Sequence, residues 1–183
     1  MPLVRSLREP LTTDYNYRLL TTDLLSTLML IGSFSVTNAW TPKDTTTHQD
    51  HVIAHVVDAT FLGYFTFDEA LYVLLDIGFI WTIFLDGEMG LLPHPVAVSE
   101  LEINQAAKEQ IKTDIDVLLG DGDAENLLLL QPPPVLCQIK DVSFYAADDS
   151  RRLLVAGEPG SIVIETSLAT AEIVVKDFLN WEL

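Results

Sequence analysis

The chain has 183 residues, a length that predicts one domain spanning 1–183, with a core large enough to fold without disulfides or metals. Hydrophobic residues make up 49% of the chain and charged residues 20%, proportions that exclude a disordered protein. Lys and Arg number 10 and Asp and Glu number 27, so the net charge of −17 repels phosphate backbones and excludes nucleic acid as an expected partner.

The first half of the chain is predicted to be mainly helical. After an N-terminal arm, apolar residues at positions 20, 24, 28 and 31 fall on one face of a helix. A polar loop over 37–50 follows. Residues 51–60 fit a helix slightly better than a strand, because a helix groups their apolar side chains on one side. Residues 67–78 resemble a short helix with acidic side chains in its first turn and Gly78 at its end.

A strand and a long helix follow in the sequence. Residues 79–85 are aromatic and β-branched and precede a turn, which predicts a strand. Ser99 and Glu102 have the spacing of a capping box, and the apolar positions that follow recur every three or four residues. These patterns predict a helix over 99–119 that ends at Gly120.

Three consecutive prolines at 132–134 form the predicted joint between a helix-rich part, 1–131, and a β-rich part, 135–183. Segments 136–146, 152–156 and 161–166 are separated by turn residues and predict a three-stranded antiparallel meander. Residues 168–181 fit a terminal helix, with a fourth strand as the alternative. The predicted fold class is therefore α+β, with an N-terminal helical part containing one strand, a C-terminal antiparallel β-meander and a terminal helix.

The cysteine content and the hydropathy of the chain indicate its cellular location. Cys137 is the only cysteine, so no intramolecular disulfide forms and a reducing cytoplasm is the expected location. The mean hydropathy of +0.28 is high. However, the long apolar stretch over 61–85 contains Asp68, Glu69 and Asp76, each costing about 2.5–3.5 kcal/mol near a bilayer centre. We expect a soluble protein without a membrane span.

Four residues form a candidate metal site. His48, His51, His55 and Asp58 are spaced by three, four and three residues, so on a helix they share one face. Imidazole nitrogens bind divalent transition metals, and a carboxylate is suited to serve as a further ligand or to orient His55. The alternative is a solvated helix face that carries histidines without a metal. On a strand, only His51 and His55 would share a face.

An aromatic segment is the second candidate. Half of the 16 aromatic residues lie within 61–84. Such a cluster is suited to line a pocket for an apolar small molecule, but aromatic side chains more commonly form the core of a small domain.

The sequence contains no nucleophile elbow, phosphate-binding loop or dinucleotide-binding motif. We therefore favour a non-enzymatic interaction or regulatory module that binds a protein partner or forms a homodimer through apolar surface. The alternatives are a metal-binding protein or metalloenzyme that uses the histidine face, and a binder of apolar small molecules.

Overall fold

The computed structural model describes residues 39–84, 88–120 and 124–178. The predicted helix near residues 16–31 lies outside these ranges. Within them the chain forms one antiparallel sheet of eight strands with two α-helices. In chain order the elements are β1 (Thr41–Lys43), α1 (Thr47–Val56), β2 (Thr60–Phe67), β3 (Ala70–Leu75), β4 (Ile80–Phe84), α2 (Gln105–Leu119), β5 (Cys137–Ala147), β6 (Ser150–Pro159), β7 (Ile162–Ser167) and β8 (Ile173–Asp177).

The strands are ordered β4-β3-β2-β5-β6-β7-β8 across the sheet, and each neighbouring pair is antiparallel. Strand β5 joins the two halves of the sheet. One of its edges pairs with β6 along its whole length. The other edge pairs with β2 near Gln138 and with β1 near Ala146. The long β5 therefore connects β2, β3 and β4 to the other strands of the C-terminal meander.

Two apolar cores stabilise the sheet, one on each face. Helix α1 inserts Val52 and Val56 into the larger core, which runs along one face from β3 and β4 to β7. Helix α2 packs Ile111 against the other face of β2, β3 and β4. All six residues of β3 are buried because the strand contributes side chains to both cores. Its sequence therefore lacks the alternation of a strand with one solvated face.

A buried carboxylate fixes α2 to the loop that precedes β5. Asp114 has no exposed surface, and its two oxygens accept hydrogen bonds from three successive backbone N–H groups at 2.7 Å. The donors belong to Leu128, Leu129 and Leu130. These three hydrogen bonds to the carboxylate replace the hydrogen bonds that water would otherwise supply to this buried group.

The predicted fold class was wrong. The described residues are mostly antiparallel sheet, and the segment expected to be helical with one strand contributes β1, β2, β3 and β4. The antiparallel meander after the prolines is confirmed as β5, β6 and β7. The predicted strand at 79–85 is confirmed as β4.

The helix predicted over 67–78 is instead a β-hairpin. Phe67 pairs with Ala70, so β2 and β3 are joined by a two-residue turn. Asp68 and Glu69 occupy this turn with φ values of 46° and 61°. Tight hairpin turns of this kind require positive φ at both central residues and usually contain Asn-Gly. The pair Asp-Glu lacks that signal and is also common in the first turn of a helix.

The terminal helix predicted over 168–181 was also wrong. Ile173–Asp177 forms β8, which pairs with β7 in the register Ile164 to Val175. Alternate residues Ile173 and Val175 pack against the larger core. The strand alternative was correct. A strand buries every second residue against the core and pairs with the edge of β7, whereas a helix would leave the backbone groups of that edge unpaired.

Both helices begin or end at residues other than those predicted. Helix α1 starts at a capping box formed by Thr46 and Gln49 and ends at Val56, well before residue 60. Helix α2 begins at Gln105 because Asn104 caps it, accepting a hydrogen bond from the backbone N–H of Ala107 at 2.9 Å. The predicted cap at Ser99 instead lies in a short 3₁₀ turn that directs the buried Val98 into the smaller core. Neither helix is long and apolar enough to cross a membrane, as far as the described residues extend.

Candidate functional site

His51 and His55 come together on the exposed side of α1. Their Nε2 atoms lie 3.3 Å apart, and the ring centroids are 4.7 Å apart with the planes perpendicular. The spacing of four residues places both rings on one helix face, while Val52 and Val56 fix the adjacent buried side of the helix in the core. The prediction that these two histidines share a face is therefore confirmed for this pair.

The other two predicted ligands lie in different surroundings. His48 is exposed in the first turn of α1. Asp58 follows the helix with φ of 69°, and its carboxylate forms an ion pair with Lys140 at 2.9 Å. The backbone N–H of Asp58 also donates to the Ile139 carbonyl at 2.8 Å. Asp58 thus fastens the end of α1 to β5.

A histidine that the sequence interpretation did not include borders the same space. His94 lies in the segment after β4 and lines a cavity of about 430 Å³ together with His51 and His55. The other walls are apolar and come from Ile77, Phe79 and Pro95. We call this space the histidine cavity. His94 was missed because it lies far along the chain from the helical pair and no short-range spacing connects them.

The described residues contain no group of three or more His, Cys, Asp or Glu side chains arranged to hold a metal ion. Of the four predicted ligands, the structure brings His51 and His55 close together. His94, which was not predicted, borders the same cavity.

A second cavity, of about 290 Å³, lies against β3, β4 and the segment before α2, and we call it the acidic cavity. Its walls are apolar and are formed by Phe67, Phe84, Leu92, Val96 and Leu101. Its polar lining consists of Asp68, Tyr72, Thr82, Glu100 and Glu102. The cavity therefore combines an apolar interior with three carboxylates and no basic side chain.

Thr82, one of the residues that line the acidic cavity, carries a buried hydroxyl without a partner among the described residues. The residue is 1% exposed, and its Oγ1 has no hydrogen-bond partner within the described part of the chain. Buried hydroxyl groups are normally hydrogen-bonded, and an unsatisfied one costs about 1–3 kcal/mol. The Oγ1 is itself enclosed by protein atoms, so this cost belongs to the packing of β4 and not to the open space of the cavity.

The carboxylates give the acidic cavity a negative potential. Burial raises the pKa of the Tyr72 hydroxyl, and the negative charges of Asp68 and Glu102 raise this pKa further. Among the described residues, neither carboxylate takes part in an ion pair. Glu100 already accepts a hydrogen bond from the backbone N–H of Ala97 at 3.1 Å. Asp68 and Glu102 are thus the groups that would meet a cationic ligand.

Tyr72 is held in place at the cavity by ring stacking. Its ring lies parallel to that of Phe65, with the centroids 4.7 Å apart and an interplanar angle of 6°. Phe65 is fully within the smaller core, so the stack connects the cavity lining to the sheet interior. This wall of the cavity is preformed.

The aromatic segment 61–84 contributes both to the core and to the cavities. Phe61, Phe65 and Trp81 are buried, which agrees with the core interpretation. Phe67, Phe79 and Phe84 are about 40% exposed and line the two cavities. The division follows the alternation of the strands and the positions of the hairpin turns, and the sequence pattern alone does not show it.

Cys137 is excluded as a nucleophile. Its side chain is completely buried in the larger core, and burial raises the pKa of the thiol to about 11. A thiol with that pKa is almost entirely protonated at neutral pH and is a poor nucleophile.

No family model, curated protein or solved structure matches this chain. The chemistry of the two cavities therefore carries the functional argument.

Proposed function

We propose that this protein is a non-enzymatic interaction module that binds a basic segment of a partner protein. The acidic cavity is the observation that carries the proposal, because it joins apolar walls to a negative rim within about 290 Å³. Lysine and arginine have the matching composition, an apolar stem with a cationic head. One such side chain would place its stem inside and its head at the carboxylates.

Each part of the cavity matches a part of that side chain. The exposed rings of Phe67 and Phe84 offer apolar contact to the stem and a π face to the cation. Asp68 and Glu102 offer charge-assisted hydrogen bonds to the head.

The charge of the whole chain supports the same partner. A net charge of −17 attracts basic proteins over long range and accelerates their encounter with the acidic cavity. The same charge disfavours nucleic acid. It also repels a second copy of this chain at the acidic cavity, so a homodimer would use other surfaces, such as the exposed Leu119, Leu128 and Leu136.

A reducing, cytoplasmic location belongs to this proposal. The one cysteine of the chain is buried and its thiol is unpaired, so the structure gains no stability from oxidation.

The binding test uses a peptide with blocked termini that contains two arginines flanked by leucine and glycine. Calorimetric titration into the full chain at 0.15 M salt should show saturable binding with one peptide per chain. The double variant Asp68→Asn, Glu102→Gln should weaken binding by at least about tenfold, because close charge pairs at interfaces contribute more than about 1.4 kcal/mol.

A charge-matched control separates specific recognition from general attraction. Asp149→Asn with Glu158→Gln removes one Asp and one Glu charge at exposed positions outside the cavity. This control should change the affinity by less than about twofold, since charges beyond the Debye length of about 8 Å are screened. Equal weakening by the two double variants would contradict the proposal, as would binding of an otherwise identical peptide with glutamate in place of arginine.

A second pair of variants tests the apolar walls. Phe84 and Phe79 are both 42% exposed, but only Phe84 lines the acidic cavity. Phe84→Ala should weaken peptide binding, whereas Phe79→Ala should leave it unchanged. If a small amine such as agmatine binds as tightly as the peptide, the cavity is a small-molecule site and the protein-partner proposal fails.

A further inference from the structure

We infer that His51 and His55 form a chelating site for a divalent transition metal ion of the zinc class at the rim of the histidine cavity. This site shares no lining residue with the acidic cavity. The inference is therefore independent of the proposed function.

The distance between the two imidazole nitrogens fits a metal ion. Zinc–nitrogen bonds are about 2.0–2.1 Å long, so two nitrogens bound to one tetrahedral ion lie about 3.3–3.4 Å apart. The Nε2 atoms of His51 and His55 are 3.3 Å apart. In the metal-free protein the same 3.3 Å separation allows a hydrogen bond between the two rings, with the donor set by the tautomer, and a metal ion would replace that hydrogen bond.

Helix α1 holds this pair with little freedom. Its N-terminus is fixed by the capping box of Thr46 and Gln49, and its buried face is fixed by Val52 and Val56. The backbone that carries both rings is therefore positioned before a metal arrives. Ligands on a rigid, packed helix lose less conformational entropy on binding than ligands on a loop.

The ligand chemistry selects the class of metal. Imidazole nitrogens favour zinc, nickel and copper, whereas magnesium and calcium prefer carboxylate and carbonyl oxygens. The carboxylate predicted as the next ligand, Asp58, is bound to Lys140. The site is thus a two-histidine chelate whose remaining positions are left to water, beside the apolar walls of Ile77 and Phe79.

The test is calorimetric titration of the untagged full chain with zinc chloride in buffer containing excess magnesium. Magnesium occupies the weak carboxylate sites that 27 acidic residues provide, so the measured heat reports nitrogen ligands. The expected result is one zinc ion per chain. His51→Ala and His55→Ala should each lower the zinc affinity by at least about tenfold.

His48→Ala is the matched control, since His48 is an exposed histidine of the same helix. It should leave the zinc affinity unchanged within about twofold. Circular dichroism of all three variants confirms that α1 is retained, and these exposed positions tolerate alanine well. Absence of saturable zinc binding by the wild-type chain, or an equal loss in His48→Ala, would overturn the inference.

Discussion

Replacing Asp114 with alanine tests how the described part of the chain holds together. The side chain has no exposed surface and accepts three backbone hydrogen bonds, from Leu128, Leu129 and Leu130. A hydrogen bond to an ionised group contributes about 1.5–3 kcal/mol, and a neutral one about 0.5–1.5 kcal/mol. Only the hydrogen bond from the Leu130 N–H is fully buried, so we assign about 1.5–3 kcal/mol to it and about 0.5–1.5 kcal/mol to each of the other two. The other two donors recover part of their hydrogen bonding from water in the variant.

One larger and two smaller contributions give an expected destabilisation by Asp114→Ala of about 2.5–6 kcal/mol. For a domain of this size each kcal/mol lowers Tm by about 2–4 °C, so the expected drop in Tm is about 5–24 °C. Thermal unfolding followed by circular dichroism measures it. Asp116→Ala, an exposed change on the same helix, is the control and should cost less than about 0.5 kcal/mol. A Tm of Asp114→Ala within 2 °C of the wild type would refute the assigned role of this carboxylate.

Three further predictions concern the stability of the sheet, and urea denaturation measures each. Gly157→Ala should cost about 1–3 kcal/mol, because a Cβ there would lie 2.6 Å from the Gln138 carbonyl oxygen. Arg152→Met should cost about 3 kcal/mol, since the buried guanidinium donates to Glu165 at 2.7 Å and its loss leaves that carboxylate without its closest partner. Burial raises the pKa of Cys137 from 9.0 to about 11, so between these pH values the thiol ionises in the unfolded chain but stays protonated in the folded one. The wild type should therefore lose more stability than Cys137→Ala as pH rises from about 9 to about 11. An unchanged unfolding midpoint in either of the first two variants, or equal pH dependence in the third pair, would contradict the corresponding assignment.

Local patterns sufficed where an element has one buried side and ordinary turns. The meander of β5, β6 and β7 follows from apolar segments separated by turn residues after the prolines. The central part of helix α2 was predictable from the spacing of its apolar residues, because one face packs on the sheet and the other is exposed to solvent. In both cases the period of the sequence matches the period of burial.

The same reasoning failed where both sides of an element are buried. Strand β3 carries no alternation because the two cores meet its opposite faces. The hairpin turn of Asp68 and Glu69 also lacks the glycine or asparagine that marks positive φ. With both signals absent, an amphipathic helix was the better local interpretation of residues 67–78. Only the pairing with β2 and β4 reveals the strand.

The candidate sites divide in the same way. The pair of His51 and His55 was predictable, since spacing along one helix determines it. The position of His94 beside that pair was not predictable, because it depends on the segment after β4 returning along the outer edge of that strand, where Val96 bridges Ile80. The acidic cavity draws Asp68, Thr82 and Glu102 from three separate segments, and no sequence motif connects them.

The most direct test of the central claim, that the acidic cavity binds a basic protein segment, is an NMR titration of the ¹⁵N-labelled full chain with the arginine peptide. The expected result is saturable shifts of the backbone amides around the acidic cavity, at Phe67, Tyr72, Thr82, Phe84 and Leu101, with His51 and His55 unaffected. Small shifts spread evenly over acidic surface residues, without saturation, would show attraction by net charge alone and would contradict a specific site.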